Sequence, residues 1–341
     1  MIGTNRGRAV VAAAAVAAVA QLAAAQDIPL NYERLSSVEE PLAAEIGDIT
    51  LTLKGLLDSP VALDFEDDED ASAGLIGNFQ AGALVQLQNR WRVSAAYFGQ
   101  YATDERFGSR PDKRYVDNVA FSGGSAWGTI AGGNVSGIVR EQTRRRRGAG
   151  NGELEFDGAL GGLAEWGGSY TVRFGPWVVS AVVDEDADFE AGATFRRPIN
   201  DTDYRVTLRA GRGVYVPENS PTEFHSTTVA AVGEVIFGST SFDAGLGYES
   251  LSSGGPDAVR RYVSTGVRGK TGVLGWSLEA HYGRIQNDNE VSAALGAQYD
   301  IARGLSANLG LNHARARADA GAVRIVDTRE TRGILSLRYT F

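Results

Sequence analysis

Four consecutive arginines, Arg144, Arg145, Arg146 and Arg147, form the densest positive charge in the chain. Arg140 precedes them, and the carboxylates Glu153, Glu155 and Asp157 follow closely. Between the two charge sets stand Gly148, Gly150 and Gly152, which permit a fold-back that bulkier residues would resist. Opposed charges on one such segment, placed inside a water-filled passage with low-dielectric walls, set up a transverse field and select among ions. Solvent exposure of the basic run, against anionic lipid headgroups, is the plainer alternative.

Other chemistry is thin. The three histidines, His225, His281 and His313, are dispersed and lie in no catalytic motif. A hydrolase would need a nucleophile with histidine and carboxylate partners, and a metal site would need clustered ligands at set spacings. No enzyme activity, cofactor or metal is therefore expected. The acidic run 64–70, D-F-E-D-D-E-D, lacks the alternating spacing of a calcium loop and reads as solvated, with a divalent-cation site or a cation-attracting entrance as the sharper alternative. A net charge of −9 argues against nucleic acid as a partner.

The elements that must position the charged segment are strands. In the last residues, Leu335, Leu337, Tyr339 and Phe341 alternate with Ser336, Arg338 and Thr340, the period of a strand with one oily and one wet face. The same alternation begins at Ile49, Leu51 and Leu53 and recurs through Phe242, Ala244, Leu246 and Tyr248 to Leu274, Trp276, Leu278, Ala280 and Tyr282. Tallied along the chain it predicts about sixteen strands. Short turns are expected at Asn89-Arg90, 123–125, Gly175-Pro176, 238–240, Thr271-Gly272 and 301–304, with longer loops at the other end. An even count with this alternation is the pattern of an all-β, transmembrane antiparallel β-barrel. Aromatic residues flank both ends, as interfacial girdles would require: Trp91, Phe174, Trp177 and Trp276 beside the short turns, Tyr97, Tyr170, Tyr248 and Tyr282 toward the long loops. By parity Lys54, Arg173, Arg205, Arg209 and Arg338 line the lumen wall, with Glu234, Asp243, Glu249 and Glu279 as acidic counterparts, while His313 faces lipid. Sixteen strands enclose a lumen too wide for side chains to fill. The third long loop, 136–162, which carries the arginine run, is expected to fold inward and narrow it.

The compartment follows from the amino terminus. Arg6 and Arg8, the apolar run 9–20 and an A-x-A site at 23–25 predict a signal peptide over residues 1–25. Residues 26–47, with Pro29 and Pro41, read as an N-terminal periplasmic arm, and 48–341 as the barrel. The chain has no cysteine and 43 glycines. An exported sandwich, a non-conducting adhesin or anchor barrel, and a barrel enzyme are the rival readings.

The signal peptide, the stretch N-V-A-F-S-G-G-S-A-W-G-T-I-A-G-G-N-V-S-G at 118–137 and the terminal Arg338-Tyr339-Thr340-Phe341 resemble those of general porins of the Gram-negative outer membrane, of the alphaproteobacterial type. The resemblance implies an outer-membrane homotrimer with an inward third loop that passes ions and small hydrophilic solutes. It also implies contact with membrane lipid and lipopolysaccharide, and a terminal strand read by the barrel-assembly machinery. General porins commonly carry acidic residues on this loop; here the loop is strongly basic before it turns acidic.

Overall fold

The computed structural model of the chain describes residues 42–66, 71–104, 107, 114–218, 220–255 and 257–341. The signal peptide, the arm up to residue 41 and positions 67–70 of the acidic run lie outside the described residues.

The strands are β1 (Leu42–Ile46), β2 (Ile49–Asp64), the two-residue β3 (Ser72–Ala73), β4 (Ile76–Gln86), β5 (Arg92–Ala102), β6 (Tyr115–Ser125), β7 (Gly128–Asn134), β8 (Trp166–Phe174) and β9 (Trp177–Asp184). There follow β10 (Phe189–Ile199), β11 (Thr202–Tyr215), β12 (Phe224–Phe237), β13 (Thr240–Ser252), β14 (Asp257–Thr271), β15 (Leu274–Ile285), β16 (Asp288–Ala302), β17 (Leu305–Ala320) and β18 (Val323–Thr340). Leaving aside the short β1 and β3, sixteen antiparallel strands form one closed barrel, and each predicted strand has its counterpart.

Closure is made on β2. Residues 56–64 of β2 pair with 332–340 of β18, Leu337 opposite Ser59. Gly55 and Phe341 exchange backbone hydrogen bonds of 2.8 and 3.0 Å. Below that point the same edge of β2 is covered by β1, Leu42 opposite Leu53 and Ile46 opposite Ile49. Residues 42–46, read from the sequence as part of the arm, are thus a strand. Gly47, at φ 61°, turns them back onto β2.

The faces are the inverse of a soluble fold. On β18, Leu335 is 58% exposed and Leu337 51%, while Ser336 between them is 4% exposed. On β13, Leu246 is 62% exposed and Asp243 5%. Oily side chains point outward and polar ones inward, as lipid outside and a polar lumen require. A sandwich would bury the oily set.

Three details differ from the sequence reading. Residues 123–125 stay within β6, paired with β7, and the turn lies at 126–127. The glycine at 124 serves close approach instead, since a Cβ there would meet the Gly128 carbonyl oxygen at 2.7 Å. Tyr170, expected toward the long loops, stacks on Trp127 at the short-turn end, 6.1 Å between ring centroids, and its hydroxyl donates to the Trp127 carbonyl. Finally, β17 and β18 run on together far past the oily band and meet at Gly321-Ala322. There alanines face inward and arginines outward, so the oily alternation that marks a lipid-facing strand is missing.

Replacing Leu246 by Arg places a charge on the lipid face near mid-strand. It should destabilise the barrel by about 2–4 kcal/mol, read by denaturant unfolding in lipid vesicles; Leu246→Phe should be close to neutral.

Candidate functional site

The connection between β7 and β8 turns into the lumen. Its first element is a short helix, Ile138–Thr143, where the sequence suggested only a loop. Val139 is fully buried in an apolar cluster with Leu56, Phe98 and Val182. The wall makes room with Gly192, where a Cβ would meet Val139 and Thr143 side-chain carbons at 2.9 and 2.7 Å. The helix's unpaired terminal carbonyls find donors on β11: Arg205 Nη2 donates to the Gln142 oxygen (2.7 Å) and Thr207 Oγ1 to the Thr143 oxygen (2.7 Å).

The glycine leg then lies flat on the far wall. A Cβ on Gly150 would meet the Ala297 carbonyl oxygen at 2.0 Å, and one on wall residue Gly310 would meet the Asn151 oxygen at 2.1 Å. Glycine on both surfaces lets backbone approach backbone. Asn151 fastens the leg: its side-chain amide donates to Ser336 Oγ (3.1 Å), and its Oδ1 accepts from Arg338 Nη2 (2.9 Å). Arg338 also pairs with Asp58 at 2.9 Å. Loop, last strand and β2 therefore meet at one guanidinium.

The return leg is held by two ionic clusters. In the first, Arg145 contacts Asp157 of its own loop (2.9 Å), Asp243 on β13 and Glu279 on β15 (3.6 Å). Arg268 on β14 joins Asp243 and Glu279, and its Nε donates to the Arg147 carbonyl at 2.7 Å. In the second, Arg260 is fully buried between Glu290 (2.7 Å) and Glu249 (3.3 Å) and donates to the Phe156 carbonyl at 2.6 Å. Glu249 accepts from the Leu160 and Gly161 amides at 3.0 and 2.9 Å. Arg140 Nε reaches Glu190 Oε1 at 2.7 Å. Above these clusters Phe156 and Leu160 pack against an apolar group drawn from Phe224, Leu251, Ile285 and the inward alanines of β17. Tyr215 on β11 donates to the Ile325 carbonyl on β18 at 2.7 Å, so the β17–β18 hairpin leans across this part of the mouth.

The expected site residues are thus distributed unequally. Arg145 and Asp157 are in contact with each other and not opposed across the lumen. Arg146 is 45% exposed and pairs with Glu234; Arg144 pairs with Glu141. The Glu153 and Glu155 side chains are exposed, while their amides bond Asn312 (3.0 Å) and Ser292 (3.1 Å) on the wall. Lys54 sits half-buried on the inward face of β2. Arg173 is exposed at the short-turn rim, two residues before Gly175, far from the loop's cluster. Arg205 serves the helix end and also faces Glu234 at 3.4 Å. Arg209 is buried, and its Nε has no hydrogen-bond partner among the described residues. Of the acidic wall candidates, Glu234, Asp243, Glu249 and Glu279 all face inward in ion pairs. Sequence reasoning missed Arg260 and Arg268. Both flank the predicted strand 261–267 and share the face of Tyr262 and Ser264, so extending the parity by one residue each way finds them.

A cavity of about 460 Å³ remains between the loop and the β2–β4 wall, bounded by Arg144–Arg147 on one side and by Asp58, Ile76 and Phe107 on the other. His281 makes a hydrogen-bonded line, Ser264 Oγ at 2.8 Å and Glu290 at 2.7 Å, with the members of a hydrolase triad. Ser264 is 1% exposed, and Glu290 also pairs with Arg260, which donates to the loop's Phe156 carbonyl. His313 bonds Thr331 on the outer face at 2.8 Å, as parity required.

Removing one partner of a buried ion pair leaves the other charged and uncompensated, at about 3–5 kcal/mol. Asp243→Ala takes away the carboxylate that Arg145 and Arg268 share and leaves them Asp157 and Glu279, so at no more than that cost it should loosen the loop while the barrel stays closed. Trypsin should then cut folded protein within residues 144–147, where the parent chain resists, with heat-modifiable gel migration retained.

No protein-family model matches the chain, and no curated protein matches it. Solved structures do. OmpT, an outer membrane protein of Vibrio cholerae in its trimer form, aligns with a TM-score of 0.67 at 12% identity, over 86% of this chain and 99% of that one. Its loop L8 deletion mutant aligns at 0.66 and 12%, over 86% and 100%. A triple mutant of the porin of Rhodopseudomonas blastica aligns at 0.53 and 13%, over 85% and 100%. At such identities the likeness is one of fold: the chain closes into an antiparallel β-barrel as these outer-membrane proteins do.

Proposed function

We propose that the barrel is a porin, an outer-membrane channel for passive diffusion of ions and small hydrophilic solutes. The observation that carries this reading is the course of residues 135–165: bound along the β9–β18 wall and leaving the cavity on the β2–β4 side. The proposed constriction lies there, with Arg144, Arg146 and Arg147 against Asp58 and Glu153. Because Arg145 and Arg268 offset two of the three charges of Asp157, Asp243 and Glu279 in direct contact, that cluster contributes less field to the passage than its number of charges suggests. Arg146, the exposed arginine of the run, is the residue that sets the preference for anions. Export through residues 1–25, assembly as a homotrimer and recognition of the terminal strand by the assembly machinery belong to the same proposal, and no catalytic step is assigned.

Purified protein added to a planar lipid bilayer should give stepwise conductance. Arg144→Ala with Arg146→Ala should move the reversal potential in a salt gradient toward cations, and Asp243→Ala should raise the unitary conductance by unpinning the loop. A well-folded barrel that gives no steps overturns the porin reading in favour of a non-conducting anchor.

A further inference from the structure

Of the buried arginines Arg145, Arg209, Arg260 and Arg268, all but Arg209 meet wall carboxylates. Arg209 stands on the inward face of β11 and is 8% exposed. Its Nε is sealed from water and has no hydrogen-bond partner. Among the described residues the side chain makes neither an ion pair nor a hydrogen bond. A buried guanidinium is costly unless a group of opposite charge reaches it.

Register shows what faces it. Arg209 is level with Ala230 on β12, Gly247 on β13 and Tyr262 on β14, all on the inward face. The Tyr262 ring lies back over Gly247, where a Cβ would meet its hydroxyl oxygen at 2.4 Å. The Arg260 guanidinium, 4.4 Å from the ring centroid, holds it there. The hydroxyl is therefore aimed along the rung toward Arg209, and among the described residues it makes no hydrogen bond. The two Cα atoms are three inter-strand steps apart, roughly 14 Å, most of which the two long side chains span. Ala230, between them, keeps accessible surface while Arg209 and Gly247 are buried, so a small residue floors a niche there.

The inward loop closes round this niche. Toward the short turns its outgoing leg crosses at Thr143, whose carbonyl accepts from Thr207, and at Arg145, whose Cδ would lie 2.9 Å from a Cβ on Gly245. Toward the long loops its return leg crosses at Leu160 and Gly161, held by Glu249, and at Gly162, bridged to Val214. The 2.9 Å pair of Arg145 and Asp157 joins the two legs. Asp157, Glu190 and Glu249 stand round the niche, bound to Arg145, Arg140 and Arg260. Arg209 and Asp157 both lie within charge-interaction range of Tyr262.

We propose that this niche is a binding site for a small monovalent anion, a halide, held between the Arg209 guanidinium and the Tyr262 hydroxyl and fastening the inward loop to β11–β14. A guanidinium supplies donors with full charge, and a phenol hydroxyl turns to donate to a negative partner. The surrounding carboxylates favour one negative charge over two. Water bridging Arg209 to the unpartnered Glu190 Oε2 is the rival occupant. The inference needs only the placement of the loop and holds whether or not the barrel conducts.

The test uses the full barrel in detergent. Crystals grown in bromide should show an anomalous scattering peak between Arg209 and Tyr262. Hydrogen exchange over residues 157–163, read by mass spectrometry, should be slower in chloride than in gluconate at equal ionic strength. The slowing should be roughly tenfold when chloride stands at about ten times its Kd, because opening the loop must release the ion. Arg209→Gln should lose both the peak and the chloride effect. Tyr262→Phe keeps the ring over Gly247 and should need more chloride for the same protection. A niche without a bromide peak, as a bridging water would leave it, overturns the proposal. So does a chloride effect that survives in Arg209→Gln, or equal protection by sulfate. A peak with no chloride effect on exchange marks an adventitious ion only, and also overturns it. If Arg209→Gln does not fold, an unshifted chloride dependence in Tyr262→Phe overturns it alone.

Discussion

In hydrocarbon an unpaired backbone amide or carbonyl has no water to turn to, so a spanning sheet must leave no edge. The barrel meets this constraint at β2, whose outer edge takes β18 along its upper part, Phe341 at Gly55, and β1 along its lower part. Everything else depends on that closure. It separates an oily exterior from a polar interior and fixes the register by which Asp243, Glu249, Glu279 and Glu290 share the inside with the loop. It also accounts for Gly55: the Phe341 ring lies over it, and a Cβ there would come within 2.0 Å of that ring.

Inside the barrel, the loop is fixed by charge more than by apolar burial. Buried guanidinium groups are costly unless every donor is matched. Arg260 and Arg268 are matched by wall carboxylates together with loop carbonyls. Wall and loop are therefore interdependent, since neither the carboxylates nor the arginines are satisfied without the other. The glycines at 150, 152, 296 and 310 let two backbones approach until Asn151 can reach β17 and β18. The arginine run divides its labour: Arg145 is spent on anchorage, and Arg146 is left toward water.

Much of this was legible in the sequence because lipid imposes a severe rule on side-chain parity. Leu335, Leu337 and Tyr339 could only face one way, and the same alternation runs through the strands that carry Lys54, Arg338 and His313. Legibility failed wherever the rule lapses. The upper half of β17 carries alanine inward and arginine outward, and that of β18 is mostly charged, so they did not read as strand. Residues 42–46 pair for only five positions and follow a proline-bearing stretch. The helix Ile138–Thr143 owes its form to a pocket built by Leu56, Phe98 and Val182, which lie far apart in the chain. That Arg145 would meet Asp157 side by side, and not across the passage, depends on where Asp243 and Glu279 stand on the wall. No local pattern reveals that.

The junction of Arg338 with Asp58 joins residues 280 positions apart. Forming it requires nearly the whole chain, and contacts of such long sequence separation are slow to form because loop-closure entropy opposes them. The cylinder thus cannot shut until its final segment arrives, and until then β2 waits with half its rim unpaired. The same guanidinium grips Asn151, so the inner segment reaches its full set of bonds only once the seam is made. Sealing of the wall and completion of the interior are one late event in the folding of this protein.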